Sequence, residues 1–248
     1  MKIREFFSWM LDFVFPRACL GCGKNEGYLC KECLKQFFEY KNQCCPNCRK
    51  WNENGVFCSL KCRSGLGFDQ LLVCVDYLPR SLIQKLITTL KYKFIREISQ
   101  DLGRILLAQF AYHSHKFPKD NLVILPVPSH KSRVRFRSFN QAELLARYIA
   151  EHCKIGFGDY LERIEQTETQ AHSNREERLE NLKGVVRVKE GFLETLKGKT
   201  VLLIDDVATT GSTMQACSEA LKQAGVKYIC GLVVARAPLR YRLPSVNF

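Results

Sequence analysis

At 248 residues and 46% hydrophobic content, the chain is long and apolar enough to bury one large core, or a medium core beside a small one, which excludes a disordered protein. A formal net charge of +13 suits attraction to a polyanion such as nucleic acid, and equally a basic surface that serves only solubility. Thirteen cysteines would fit a disulfide scaffold in a small secreted chain; with no cleavable signal peptide and no run of about 20 apolar residues, the expectation is instead a cytoplasmic, metal-binding protein.

The first stretch, Met1 to Pro16, places Ile3, Phe6, Phe7, Met10, Phe13 and Val14 on one helical stripe. An amphipathic helix is expected over residues 1–18. Such a stripe suits peripheral contact with the inner face of a membrane or packing on the rest of the protein; Glu5 and Asp12 among the bases favour packing.

Nine of the thirteen cysteines then fall between Cys19 and Cys62. Cys19-x2-Cys22, Cys30-x2-Cys33, Cys45-x2-Cys48 and Cys58-x3-Cys62 are four turns that each point two thiolates at one metal, and two such turns complete the tetrahedral set zinc prefers. One or two zinc ions are expected in a module over residues 19–66. Short intervening loops favour pairing in sequence: Cys19, Cys22, Cys30 and Cys33, then Cys45, Cys48, Cys58 and Cys62. A cross-braced arrangement stays open, and so does the register beside Cys44. So short a segment buries little core, and metal substitutes for it. Lys24, Lys31, Lys35, Lys41, Arg49, Lys50, Lys61 and Arg63 alternate with Tyr28, Phe37, Phe38, Tyr40 and Trp51. That mixture suits a single-stranded nucleic acid, and equally a partner-docking ribbon.

Ser64-Gly65-Leu66-Gly67 reads as a linker, with a second domain over residues 67–248. Leu71 to Val75 is an expected strand. Leu82, Ile83, Leu86, Ile87 and Leu90 form a helical stripe ending in Lys91-Tyr92-Lys93, and Ile98, Leu102, Ile105, Leu106 and Phe110 form another. Asn121 to Leu125 is the next strand, stopped by Pro126-Val127-Pro128, and Ala142 to Ala150 returns to helix. This alternation predicts an α/β domain with a parallel sheet. Between strand and helix lies an acid-free stretch carrying His130, Lys131, Arg133, Arg135 and Arg137. Those bases suit a diphosphate or a solvated face, and a phosphate motif in the same domain favours the anion site. The charge run from Asn174 to Asn181, taken alone, is a solvated helix.

That phosphate motif is Val201-Leu202-Leu203-Ile204-Asp205-Asp206-Val207-Ala208-Thr209-Thr210-Gly211-Ser212-Thr213. Four apolar residues without a polar break read as a strand buried on both faces. Its carboxyl end carries two acids, and Thr209 to Thr213 offers hydroxyls, a permissive glycine and backbone N–H groups ahead of a helix, which is how a chain wraps a phosphate. Acids beside a phosphate nest are compatible in a sugar phosphate, whose hydroxyls donate to the carboxylates. A helix bearing Met214, Cys217, Ala220 and Leu221 follows, stopped by Gly225, and Tyr228 to Ala235 closes the sheet.

The strand, the two acids and Thr209-Thr210-Gly211-Ser212-Thr213 resemble the 5-phosphoribosyl 1-diphosphate (PRPP) signature of type I phosphoribosyltransferases. The resemblance assigns Asp205 and Asp206 to the ribose hydroxyls, the loop through Val207, Ala208, Thr209, Thr210, Gly211, Ser212 and Thr213 to the PRPP site, and Mg²⁺ to the bound diphosphate. With the cysteine turns, Leu90-Lys91-Tyr92, Pro126-Val127-Pro128 and His130, Arg137-Ser138-Phe139-Asn140-Gln141-Ala142, and Thr167-x-x-Gln170 with Arg178 and Asn181, the chain from Cys19 to Arg236 resembles the ComF/ComFC family. This resemblance implies a type I phosphoribosyltransferase fold, a parallel-sheet core with a small hood, behind a cysteine-rich zinc ribbon. The family usually carries glycine where this chain has Ser138, a position suited to positive φ or close backbone approach. By resemblance the function is natural transformation: handling of incoming single-stranded DNA, PRPP as ligand or cosubstrate, and the DNA-uptake machinery as a partner. The alternative is an active transferase in which a nitrogen nucleophile displaces diphosphate from ribose C1 while Lys131, Arg133 and Arg135 stabilise the leaving group. The absence of a recognisable base pocket or glutaminase domain favours the first.

Overall fold

The computed structural model describes residues 17–39, 42–93, 95–116, 118, 121–129, 138–164 and 185–238. The expected amphipathic stretch through Pro16 lies outside them, as do His130, Lys131, Arg133, Arg135 and Arg137, and Thr167, Gln170, Arg178 and Asn181.

Seven strands are described: β1 (Gln70–Asp76), β2 (Leu122–Pro126), β3 (Gly156–Phe157), β4 (Leu161–Arg163), β5 (Val186–Val188), β6 (Thr200–Ala208) and β7 (Tyr228–Arg236). Five of them form a sheet in the order β1-β7-β6-β2-β3, parallel at every pairing. β4 and β5 pair antiparallel as a separate small ribbon, the hood. The helices, in chain order, are α1 (Lys31–Lys35), α2 (Leu60–Arg63), α3 (Leu82–Tyr92), α4 (Ile98–His113), α5 (Gln141–Cys153), α6 (Leu193–Leu196) and α7 (Ser212–Gln223).

β6 shows why the central strands carry no polar break. Val201 and Leu203 join one apolar cluster with Met214, Cys217 and Leu221 of α7, while Leu202 and Ile204 join another with Leu86 of α3, Leu106 of α4 and Leu145 of α5. Successive side chains of a strand point to opposite faces, so a sheet covered on both sides requires apolar residues at every position. The same alternation continues through Ile229, Cys230, Leu232 and Val233 of β7.

β1 is an edge strand of this sheet, and unpaired backbone groups on an edge invite unwanted pairing. The cysteine-rich segment covers it. Leu71 N–H donates to the Gly55 carbonyl at 2.9 Å, Val73 N–H donates to Gln43 Oε1 at 2.9 Å, and the Gln43 amide returns a bond to the Val73 carbonyl at 3.0 Å. Gly55 is required there: its φ is +63°, and a Cβ on it would lie 2.4 Å from the Leu71 carbonyl oxygen. Leu29, Leu34 and Phe37 from the same segment are buried in the cluster under α3 and α4.

The glycine-rich stretch read as a linker is held in place. Gly67 N–H donates to Gln215 Oε1 at 2.7 Å and Gln215 Nε2 donates to the Gly65 carbonyl at 2.8 Å, tying it to α7. Glycine marks a change of chain direction, which is not the same as a separation of bodies. No helix among the described residues is long and apolar enough to cross a membrane.

Candidate functional site: a sheet-end cleft beside two cysteine tetrads

β6 carries Asp205 and Asp206 to its carboxyl end, where they face a cleft of about 430 Å³. Asp206 is buried, at 6% exposure, and its backbone N–H donates to Asp205 Oδ1 at 2.8 Å. Lys91 Nζ, from the last turn of α3, lies 2.7 Å from Asp206 Oδ2. Burial, and next to it the Asp206 carboxylate, push the Asp205 carboxyl up to about 7; the Asp206 N–H and Lys91 pull the other way. Two acids held this close share their charge reluctantly.

The loop after β6 meets α7 without a side-chain cap: Gly211 occupies the N-cap position at φ 81°, and no side chain bonds the first amides from it. An Asp or Thr at the N-cap position, the usual way a helix start is closed, is therefore absent from α7. Thr210 Oγ1 accepts from Ser212 N–H at 3.3 Å and donates to Ser212 Oγ at 3.0 Å, shaping the turn. Asp205, Asp206, Val207, Thr209 and Thr213 line the cleft. Ala208 belongs instead to the apolar cluster under α7, and its carbonyl accepts from Ala237 N–H at 3.0 Å.

The opposite wall comes from the exit of β2 and the start of α5. Asn140 caps α5, accepting from Ala142 N–H at 3.1 Å and from Ser129 Oγ at 2.9 Å while donating to the Val127 carbonyl at 3.1 Å. It thereby fixes Val127 and Ser129 against the cleft. Ser138, two residues earlier, adopts φ 63°. The left-handed backbone for which glycine is suited is thus kept here by a serine.

Sequence reasoning gave no role to Tyr77, Lys91 or Arg163, all of which line the cleft. Lys91 appears in the sequence as the end of a helical stripe and within the family marker Leu90-Lys91-Tyr92, neither of which assigns it a place in the cleft. Arg163 sits on the hood strand β4, and its Nε is buried with no hydrogen-bond partner among the described residues. Nothing in the local pattern at Tyr77 or Arg163 signals a site.

The eight paired cysteines form two sets in sequence order: Cys19, Cys22, Cys30 and Cys33, and Cys45, Cys48, Cys58 and Cys62, each with its thiol sulfurs within 4.8 Å of one another. Cys44 stands outside the second set, bridged to Trp51, with its sulfur 4.0 Å from Arg236 Nη1. Burial alone would raise the Cys19 thiol, yet backbone N–H donors of Cys30, Cys22 and Gly21 bring it down to about 6. Cys33 is pushed up to about 12 by burial and by the sulfurs around it. In the second set Cys45 is likewise down to about 6, and Cys58 is pushed up to about 12 by the Cys48 and Cys62 sulfurs and then by burial. Four thiols this close compete for protons, and a divalent cation at their centre removes that conflict, which is the donor chemistry of a closed zinc site.

Some residues read as nucleic-acid contacts have other work. Phe37 is part of the core, the Arg49 guanidinium donates to the Ala237 carbonyl at 3.0 Å, and Arg63 pairs with Asp69. Lys24, Lys31, Lys35, Lys50 and Lys61 remain exposed, with Phe38 and Trp51. Tyr28 packs partly buried against the core, and Lys41 and Tyr40 lie outside the described residues.

The parallel sheet with its acid pair and uncapped helix defines a phosphoribosyltransferase-type domain, and the cysteine sets define a double zinc ribbon. The phosphoribosyl transferase domain family matches residues 94–246, and the double zinc ribbon domain family matches residues 10–75. Competence protein F of Haemophilus influenzae is 28% identical over 242 residues, 92% of this chain and 100% of that protein. Competence protein ComFC of Streptococcus pneumoniae is 28% identical over 82% of this chain and 85% of its own length. DNA utilization protein YhgH of Escherichia coli is 30% identical over 64% of this chain and 68% of its own length. The chain belongs to the ComF/ComFC family.

Proposed function

We propose that the cleft binds PRPP with Mg²⁺ and that the chain serves natural transformation by handling incoming single-stranded DNA. The observation that carries the sugar-phosphate half is the juxtaposition of Asp205 and Asp206 with an α7 N-terminus whose N-cap position is a glycine and makes no side-chain cap bond. The carboxylates accept from the ribose hydroxyls; the loop hydroxyls and first helix amides receive the 5′-phosphate, where the helix dipole favours negative charge. Mg²⁺ accompanies the diphosphate, since this ion is bound largely through substrate phosphates. The DNA half is supported by the relatives, which are competence and DNA utilization proteins, and by exposed Lys50, Trp51, Lys61 and Phe38 on the ribbon. Backbone charge supplies affinity and aromatic faces stack bases without sequence preference.

The test is calorimetry of the full chain with PRPP and Mg²⁺. Binding that disappears in the Asp205→Ala/Asp206→Ala double variant supports the reading, and no heat from the wild type refutes it. Fluorescence anisotropy with a labelled single strand, at low salt and then at about 200 mM, tests the second half: no binding at low salt refutes it. Release of diphosphate on adding a nitrogenous base would make the chain a transferase.

A further inference from the structure

Residues 76–93 fall between the two family matches, which end at residue 75 and begin at residue 94, yet they place Tyr77 and Lys91 in the cleft. Lys91 is the more informative. Its ammonium stands 2.7 Å from Asp206 with 21% of its side chain exposed, at the last turn of α3, where a helix end favours a cation. An ammonium carries three N–H donors. Asp206 is its ion-pair partner, and no hydrogen-bond partner of Lys91 occurs among the described residues. The Asp206 pair explains how the two acids coexist, but a counter-ion for that purpose alone does not need to line the cavity.

We infer that Lys91 is a specificity-determining residue whose ammonium selects sugar phosphates bearing a second anionic group at the anomeric carbon, beside the ring hydroxyls that Asp206 receives. The inference rests on the sugar-phosphate reading above. Ribose 5-phosphate and PRPP share the ring hydroxyls and the 5′-phosphate, and PRPP adds the diphosphate on C1. A group that merely orients Asp206 serves both ligands equally. A group that also donates to the C1 anion serves PRPP alone.

The experiment measures the affinities of PRPP and ribose 5-phosphate, each with Mg²⁺, for the full-length wild type, Lys91→Met and Lys91→Gln. Met keeps the length of the stem without charge, and Gln keeps a donor for Asp206 without charge. The expected result is a loss of PRPP affinity of roughly 10- to 100-fold, the scale of a charged hydrogen bond, in both variants. Ribose 5-phosphate affinity should fall distinctly less than PRPP affinity, because loss of the Asp206 counter-ion touches both ligands and loss of the C1 contact touches PRPP alone. Equal losses for the two ligands, or unchanged PRPP affinity, would overturn the inference while leaving the sugar-phosphate reading in place. A wild type that binds neither ligand would sink that reading itself, and this inference with it.

Discussion

The sheet domain and the zinc ribbon are held together by opposite means. In the sheet, Leu202, Leu203, Ile204, Leu232 and Val233 are fully buried and the strands bond to one another along their length. The described ribbon has helices of five and four residues and few buried apolar side chains, so eight thiols stand where a core would be. The ribbon is nevertheless no appendage. It lends Leu29, Leu34 and Phe37 to the core under α3 and α4 and covers the edge of β1. In return β7 sends Arg236, 6% exposed, to donate to the Pro46 carbonyl beside the second cysteine set. Burial, then the nearby Arg49 charge, pulls the Arg236 pKa down to about 10. The Arg49 guanidinium reaches the Ala237 carbonyl, and Ala237 N–H donates to the carbonyl of Ala208, the last residue of β6. Regions built by different physics can still share one cooperative unit when they exchange backbone partners.

The strongest way to break this comparison is to remove the metal. A structural zinc contributes roughly 10–16 kcal/mol to folding in isolated fingers. Chelation, or Cys45→Ser, should therefore lower the melting temperature of the whole chain in a single calorimetric transition. Two separated transitions would mean that ribbon and sheet unfold independently. A sharper probe is Arg236→Met, which leaves the Pro46 carbonyl without its buried donor. A loss of about 1–3 kcal/mol in urea unfolding is expected, with faster zinc release from the second cysteine set than from the first.

The third prediction concerns the cleft. Burial pushes the Asp205 carboxyl up to about 7, and on the proposed reading it is the ionised form that would receive the ribose hydroxyls. PRPP affinity should rise with pH between about 6 and 7, approaching tenfold per unit, and level off above. Asp205→Asn should flatten that profile. Stability has the reverse sign: the folded state holds this proton more tightly than the unfolded chain, so Asp205 contributes most below the ordinary carboxylate range. That contribution falls as pH rises towards 7. The smallest effect is expected at Ser138, whose φ of 63° favours glycine. Ser138→Gly should gain about 1 kcal/mol, read as a rise of roughly 2–4 °C in Tm, with no change at either cysteine set.

Much of the architecture was legible because its signals are local. The unbroken run from Val201 to Ile204, the acid pair after it and the Thr-rich turn sit within one stretch of chain, and the cysteine turns announce their ligand sets by spacing. The pairing of those turns became definite only when the chain closed on itself, since spacing alone also permits a cross-braced order. Phe37 and Arg49 show where composition misleads: an aromatic and a base on a basic ribbon look like nucleic-acid contacts, but the first fills the core and the second caps a carbonyl across the fold.

What the sequence by itself determined is therefore the set of strands and helices, the faces they bury, and the identity of the acids, hydroxyls and thiols. These depend on side-chain periodicity and on neighbours a few residues apart. Tertiary structure alone decided that Lys91 meets Asp206, that Tyr77 and Arg163 complete the cleft, and that the ribbon seals β1 rather than hanging from it. Each of those contacts joins residues distant along the chain, and their geometry exists only once the sheet has set the directions in which its ends and edges point.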